Sequence, residues 1–401
     1  MPEPRVSLAA LAGLLLRIGA TSFGAHMALL GAVQKEAVER RRWLTERDWS
    51  DILALVSALP GPMAVNAVAC LGWRLRGAAG GWVAVLAILA PSALVMTLYA
   101  LLHGVQAQAP LLRAALSLMP AAVAAIVLAA AWGLRGLALA QAGGRPIALG
   151  AALACLASGG REVTWIILAA GGLGLALAWR ARTLAAAIRP QALHPALAAA
   201  GVALLTLAAA WLPLRDTVAQ LFLGFAHVSL FMFGGGYAAV PLFQQLAVEQ
   251  HGWVSAQTLA DAIALSQLTP GPIMTSAGFI GQRAAGLAGN AAALVGMFLP
   301  MAVISVLALQ SLRGLAAVWW MQGLLQGVRP AALGVIAATG MLLATRMPDP
   351  ALALPAFGIA LFLLVKMRLP TYWLVSVAAL AGVGVSGIAS LSPGTAGLLQ
   401  G

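Results

Sequence analysis

The sequence predicts an all-α polytopic membrane protein: two inverted-topology repeats with broken or re-entrant helices, joined by one extra transmembrane helix. Three observations support this. The 401 residues are 62% hydrophobic and only 8% charged, with a mean hydropathy of +0.95, whereas soluble domains carry about 25% charged residues. A Pro-Gly-Pro break occurs twice, 210 residues apart, at Pro60-Gly61-Pro62 and Pro270-Gly271-Pro272. The loop at 31–51 holds Lys35, Arg40, Arg41, Arg42 and Arg47, while its counterpart at 241–261 holds no lysine or arginine.

Taken in order, apolar stretches lie near 8–30, 52–71, 82–103, 113–133, 146–158 and 162–179. Most approach the roughly 20 residues needed to cross a bilayer as helix. Inside lipid, only helices or a closed barrel pair every backbone group. Continuous Ala/Leu/Val runs without period-2 alternation exclude the barrel. A basic linker with Arg180, Arg182 and Arg189 follows, then a lone apolar segment at 195–213. The series resumes near 218–240, 259–281, 289–311, 325–345, 350–366 and 371–391. Expected boundaries are therefore 1–180 for the first repeat, 181–217 for linker and extra helix, and 218–401 for the second. The lone crossing turns the second repeat upside down.

The duplication extends well beyond the prolines. Phe23-Gly24 and Phe233-Gly234 lie 37 residues upstream of each break. An offset of 210 carries Gln34, Glu39, Trp43, Asp51 and Leu55 onto Gln244, Glu249, Trp253, Asp261 and Leu265. After the break the offset is 209, and Gly72, Arg74, Gly77, Gly80 and Pro91 fall on Gly281, Arg283, Gly286, Gly289 and Pro300.

Loop charge gives an orientation. By the positive-inside rule, loop 31–51 is cytoplasmic and 241–261 external, which opposes the two copies as in inverted-repeat transporters. If every segment crossed once from a cytoplasmic N-terminus, basic residues would divide evenly between the faces. If the Phe-Gly and Pro-Gly-Pro segments are instead hairpins, 16 fall inside and 5 outside, with Arg17 and Arg329 left within apolar segments. Charge favours the hairpins and places the C-terminus in the periplasm. Mid-segment glycine and proline, which a plain spanning helix disfavours, agree.

The net charge of +12 reflects arginines in cytoplasmic loops rather than a nucleic-acid partner. Cys70 and Cys155 sit in apolar segments and offer neither a disulfide nor a metal framework. The five histidines, His26, His103, His194, His227 and His251, have no ligand spacing, so no metal or cofactor is expected. No zincin or rhomboid-type motif supports a membrane enzyme, and no Walker loop supports direct use of ATP. No short apolar core before a small-residue cleavage site opens the chain, so a removable signal peptide is not expected.

The candidate site gathers at the breaks. Each proline lacks an N–H, glycine permits a sharp bend, and the helix restarting at Pro62 or Pro272 points its N-terminus inward. Such an end favours an anion; the plain alternative is a kink. Thr21, Ser22, Ser57 and Asn66, with Ser229, Ser266, Gln267, Thr269, Thr275 and Ser276, stand beside the breaks. They serve either as donors to an oxyanion or as interhelical packing groups. Phe23, Gly24, Phe233, Gly234 and Gly235 mark close backbone approach, again for ligand or packing. Arg17, deep in its apolar segment, is a substrate cation by default or a snorkelling side chain. Its counterpart is His227, and Arg329-Pro330 resembles it. Arg74 and Arg283 are interfacial anchors or substrate contacts. Asp51 and Asp261 are helix N-caps or coupling groups, and Glu39 and Glu249 are loop carboxylates with a possible gating role. Trp43 and Trp253 read as interface anchors.

These residues resemble the chromate ion transporter (CHR) family in its long two-domain form. The likeness rests on Arg17-Ile18-Gly19-Ala20-Thr21-Ser22-Phe23-Gly24, Trp43-Leu44, Ala58-Leu59-Pro60-Gly61-Pro62, Phe233-Gly234-Gly235 and Gln267-Leu268-Thr269-Pro270-Gly271-Pro272. The resemblance implies export of chromate across the bacterial inner membrane, conferring resistance, with sulfate a related or competing oxyanion. Phe23-Gly24-Ala25 departs from the family's double glycine, which Gly234-Gly235 keeps, so the half-sites are unequal or the change is neutral. Import or exchange of sulfate or another anion stays open, as do the coupling ion and a homodimer.

Overall fold

The computed structural model describes residues 6–22, 25–106, 109–140, 143–180, 193–210, 214–233, 236–311, 319–347 and 350–391. Phe23, Gly24, Gly234 and Gly235 lie outside the described residues, as do Arg182 and Arg189 of the linker. Among the described residues every regular element is helical. The α-helices of the first half are α1 (Leu8–Thr21), α2 (Ala25–Val33), α3 (Glu46–Ala58), α4 (Met63–Gln106), α5 (Pro110–Leu116), α6 (Met119–Leu139), α7 (Gly144–Ala157) and α8 (Val163–Arg180). The lone segment is α9 (Leu193–Ala210). The second half forms α10 (Thr217–Phe231), α11 (Ala239–Phe243), α12 (Ala256–Leu268), α13 (Ser276–Ser311), α14 (Trp319–Thr345), α15 (Pro350–Val365) and α16 (Thr371–Leu391). Five stretches, Met63–His103, Arg113–Gly136, Val163–Arg180, Ile273–Gln310 and Trp320–Thr345, are long and apolar enough to cross a membrane. The protein is an all-α polytopic membrane protein.

Each half opens with two reversals of the chain. Nineteen residues separate Arg17 from Glu36, about 28 Å along a continuous helix, yet their side chains meet at 3.0 Å. In the second half the Phe225 and Phe243 rings, on either side of the second Phe-Gly, lie 5.4 Å apart. The chain therefore doubles back at both Phe-Gly positions. It doubles back again at Pro60-Gly61-Pro62, where Arg74 pairs with Asp48 at the open end. Helices α1 and α3, of 14 and 13 residues, reach about 20 Å, short of the roughly 30 Å hydrocarbon core.

A third reversal lies inside α4 and α13, between the apolar stretches 52–71 and 82–103 and between 259–281 and 289–311. Arg76 and Gly77 adopt φ/ψ of −143/21 and 60/−150, and Ala285 and Gly286 repeat them at −147/28 and 63/−155. Residues eight apart on a straight helix stand about 12 Å apart. Here a Cβ on Gly72 would overlap the Gly80 carbonyl, and one on Gly281 the Gly289 carbonyl. Met63–Arg76 is thus a short returning limb, and the long limb from Gly77 to Gln106 turns back along it.

The halves interlock. Helix α14 packs on α6, α7 and α8 of the other half, α15 and α16 pack on α6, and α13 lies along α4. Small residues let these backbones touch. A Cβ on Gly327 would overlap the Ala170 carbonyl, and one on Gly334 the Ala148 carbonyl.

One expectation is corrected. Asp51 and Asp261 do not cap their helices; they lie more than a turn inside α3 and α12. The caps are Thr45, which accepts from the Asp48 N–H, and Ser255, which accepts from the Thr258 N–H, both at 3.1 Å. A hydroxyl one residue before the first helical N–H satisfies the exposed donors, and both positions follow the 210 offset.

The reversals put Lys35 and Arg76, both exposed, at the open ends of neighbouring hairpins. With Cys70 and Cys155 replaced by alanine, single cysteines at Lys35 and Arg76 are expected to react with an impermeant thiol reagent from the same side. Reaction from opposite sides would contradict the hairpins.

Candidate functional site

The local geometry of the two breaks is nearly the same. Helix α3 ends at Ala58, Leu59 extends at φ/ψ −91/152, and Gly61 turns the chain at φ +96. Helix α12 ends at Leu268, Thr269 extends at −94/144, and Gly271 turns at φ +117. Such positive φ disfavours every residue but glycine. Ser22 and Met232, the residues before each Phe-Gly, match as well, at −88/93 and −83/99.

The breaks are joined crosswise. The Gly61 N–H donates to the Met232 carbonyl at 2.7 Å, and the Gly271 N–H donates to the Ser22 carbonyl at 3.0 Å. Each Pro-Gly-Pro is therefore held by the Phe-Gly segment of the opposite half. Neighbouring side chains obey the same exchange. A Cβ on Gly61 would lie 2.7 Å from Met301 Cγ, and one on Gly271 2.8 Å from Ser92 Oγ. Ser92 and Met301 are themselves equivalent under the 209 offset.

Around this crossing, Ser22, Asn66, Ser229, Ser266, Gln267, Thr269, Thr275 and Ser276 are buried. Their hydroxyls mostly turn back on their own helices. Thr269 donates to the Ser266 carbonyl at 2.9 Å, Thr275 to Pro272 at 2.9 Å and Ser276 to Ile273 at 2.7 Å. Thr21, which is exposed, donates to the Arg17 carbonyl at 2.8 Å. As drawn these oxygens present acceptors, and rotation about χ1 is needed to aim a donor at an anion. Asn66, fully buried, donates to the Pro60 carbonyl at 3.2 Å and leaves its own Oδ1 without a partner. Gln267 Oε1 accepts from Tyr237 at 3.2 Å and Thr371 at 3.0 Å.

Among the sequence-predicted residues, the structure sets Gly61 and Asn66 with Met232, the residue before Phe233, and sets Gly271 with Ser22. It places the charged candidates elsewhere. Arg17 is more than half exposed, and its guanidinium pairs with Glu36, as do those of Arg40 and Arg41. Burial pushes the Glu36 carboxyl up, but the Arg40 hydrogen bond and the charges of Arg17, Arg40 and Arg41 hold its pKa below the usual value. Glu39 is exposed, so Glu36 is the carboxylate that organises this loop. Glu249 pairs with Arg346 and, at 3.8 Å, with Arg161. Burial raises its pKa, and the hydrogen bonds from Arg346 and Gln244 outweigh that and lower it. Arg74 pairs with Asp48, and Arg283 and Asp51 are exposed. Asp261 is buried, accepts from Gln257 at 2.9 Å and faces His103 Nε2 at 3.3 Å.

Among the described residues, one cation comes near the first break. Half-buried Arg329 on α14 donates to the Ser57 carbonyl at 3.4 Å, three residues before Pro60. Among the described residues it has no carboxylate partner. Its apolar surroundings mark it in the sequence, but its proximity to the first break depends on α14 crossing into the other half.

A protein-family model described as chromate transporter matches residues 9–175 and 219–383. The chain is 30% identical over 389 residues to a chromate transport protein of Pseudomonas aeruginosa, covering 94% of this chain and 92% of that one. It is 29% identical to a probable chromate transport protein of Synechococcus elongatus, covering 95% and 96%. Similarity to a chromate transport protein of Cupriavidus metallidurans is also 29%, covering 95% and 94%. No solved structure matches.

The breaks predict an order of damage. Alanine at a positive φ costs about 1–2 kcal/mol from the backbone alone. Gly61→Ala and Gly271→Ala add contact with Met301 or Ser92, whereas Gly252, at φ +61, has nothing within 4 Å of a Cβ. Melting temperatures in detergent should therefore fall more for Gly61→Ala and Gly271→Ala than for Gly252→Ala. Equal losses would mean the breaks are not tightly packed.

Proposed function

The chain belongs to the chromate transporter family, a transporter rather than an enzyme family, and from that premise we propose that it exports chromate from the bacterial cytoplasm as a secondary transporter. The observation that carries this is the crossed pairing of Gly61 with Met232 and Gly271 with Ser22. It supports a site at the breaks because each inward-pointing helix start is tied to the opposite half, and the N–H groups behind Pro62 and Pro272 favour negative charge. Arg329 adds a full positive charge beside them, with a fork suited to two oxygens of a tetrahedral oxyanion. The site residues are those of the breaks, with Arg329 in the place first assigned to Arg17.

The same contacts address oxygen atoms and charge rather than the central atom, so sulfate, of equal charge and shape, is expected to compete. Export moves a dianion out of a negative interior, worth about 2.3 kcal/mol per charge per 100 mV. No coupled ion is required on that account. The loop charges support opposed repeats, 1–180 and 218–401, with 181–217 between them. In that arrangement the inner membrane is crossed with the N-terminus cytoplasmic and the C-terminus periplasmic. Resistance to chromate would follow from efflux.

Everted vesicles test this through uptake of radiolabelled chromate, with sulfate and molybdate as competitors. Wild-type vesicles should accumulate chromate. Arg329→Gln should lower the rate about tenfold or more, the cost of one charge-assisted contact, at normal membrane levels, and Arg329→Lys should fall between. No uptake by the wild type would overturn export, and an active Arg329→Gln would remove this arginine from the path.

A further inference from the structure

The open ends of the two Phe-Gly hairpins share one backbone and carry opposite chemistry. Both contain a π-helical turn, Gln34–Arg40 and Gln244–Gln250. The Arg41 N–H bonds the Glu36 carbonyl at 3.0 Å, and the His251 N–H bonds the Leu246 carbonyl at 3.2 Å. The turn therefore presents the same positions in each half. Under the 210 offset Arg17, Lys35, Glu36, Arg40 and Arg41 become His227, Gln245, Leu246, Gln250 and His251.

In the first mouth, three arginines converge on a single carboxylate. Arg17 Nη2 lies 3.0 Å, Arg40 Nη1 2.8 Å and Arg41 Nε 3.7 Å from Glu36 oxygens. Their side chains are 58%, 62% and 40% exposed, against 15% for Glu36. Lys35 is exposed nearby. Glu36 and Glu39 together do not neutralise Arg17, Lys35, Arg40 and Arg41, and each guanidinium keeps unused N–H donors.

The second mouth opens into a cavity of about 400 Å³ lined by Arg161, Glu162, Thr164, His227, Gln245 and His251 among others. Gln245 Oε1 accepts from the Thr164 N–H at 3.2 Å and Thr164 Oγ1 meets His227 Nε2 at 3.2 Å, while His227 Nδ1 is buried without a partner. His251 stacks on Trp253, with centroids 4.4 Å apart and planes 7° apart. Arg161 and Glu162 offset each other, and Arg161 leans toward Glu249 at 3.8 Å.

We propose that the cationic mouth around Glu36 captures a tetrahedral dianion from solution, and that its charge-balanced twin around His227 lets the dianion go. This rests on the transport reading above and adds an assigned capture site and a physical basis for direction. Clustered, partly desolvated arginines raise the local dianion concentration and the association rate, and they do so less at high salt. A mouth of glutamine and histidine, whose Arg161 and Arg346 stand against Glu249 and Glu162, carries no such excess of positive charge. The affinity seen from one side is therefore set by the first mouth, and departure to the other side is not delayed by the second.

The test uses full-length protein in phosphatidylcholine proteoliposomes sorted by orientation, with radiolabelled chromate supplied from either side. A first variant combines Lys35→Gln, Arg40→Gln and Arg41→His, copying the second mouth into the first. Its half-saturation concentration from the first-mouth side should rise about tenfold, with loss of the salt dependence. A second variant combines Gln245→Lys, Gln250→Arg and His251→Arg; half-saturation from the opposite side should fall by a similar factor. Glu36→Gln frees the three arginines and should tighten capture, a sign that simple structural damage does not produce. Equilibrium dialysis of radiolabelled chromate against protein in detergent reads capture without transport, so a protein that binds but does not carry chromate would fail the transport reading alone. Unchanged half-saturation in both combined variants, or weaker binding by Glu36→Gln, would overturn the capture site. An effect that appears only when phosphatidylglycerol is added would identify a lipid headgroup as the ligand and overturn it as well.

Discussion

Everything at the centre of this molecule depends on two backbone hydrogen bonds that cross between its halves, Gly61 to Met232 and Gly271 to Ser22. A helix broken inside a bilayer frees N–H and C=O groups that water cannot reach, at a cost of several kcal/mol each. Four breaks, two at Phe-Gly and two at Pro-Gly-Pro, create that problem twice over. Each half supplies the partner the other lacks. Neither half alone satisfies these groups, so the duplication is structural as well as historical. The interlocking of α14 with α6, α7 and α8, and of α15 and α16 with α6, follows from the same exchange.

Much of this is written in the sequence. Composition gave the class, the 210 and 209 offsets gave the repeat, and glycine with proline marked where helices stop. Counting loop arginines already favoured hairpins, and the contacts of Arg17 with Glu36 and of Asp48 with Arg74 have that form. Thr45 and Ser255 were also legible as caps, since a hydroxyl ahead of a helical run is the stronger N-cap signal; the matched aspartates drew attention away from them. The reversal at Gly77 and Gly286 falls in the gaps between apolar stretches, 72–81 and 282–288, but its tight glycine contacts, Gly72 on Gly80 and Gly281 on Gly289, are visible only in the structure. Depth misled for Arg17. Counted from the end of its segment it looks buried, but a chain that doubles back brings residue 36 alongside it. Asn66 and Thr275 beside their own breaks were legible, but the partners from the distant half, Met232 and Met301 at Gly61 and Ser22 and Ser92 at Gly271, were not, because no local pattern pairs them.

Because the shared geometry is held by backbone atoms, side chains around it have been free to diverge. Asn66 in one half is Thr275 in the other, and Ser92 is Met301. Both pairs sit against the turns, yet the glycine φ values and crossed bonds persist. Asn66 bonds the Pro60 carbonyl, whereas Thr275 bonds Pro272 and opens with a short 3-10 turn. The two halves thus face the centre with the same framework and different donors. The same separation of backbone from side-chain chemistry holds at the hairpin mouths, where one π-turn carries arginines and the other histidine and glutamine.

A carrier must hold its cargo strongly enough to select it and weakly enough to release it, and the chemistry at the breaks suits that requirement. Full charges that pair with carboxylates, such as Arg17, Arg40 and Arg74, stay outside the crossing. What remains near it is Arg329, the partial charges of helix starts, and hydroxyls engaged with their own carbonyls. In the proposed site an arriving anion would turn those hydroxyls from backbone acceptors to itself, exchanging one hydrogen bond for another with little net gain. Binding free energy would then come chiefly from Arg329 and the fixed N–H groups, a balance suited to selecting a dianion without trapping it. A site lined with several unpaired arginines would bind more tightly and release more slowly. Keeping most cations at the mouth and most neutral donors at the centre divides attraction from passage along one path.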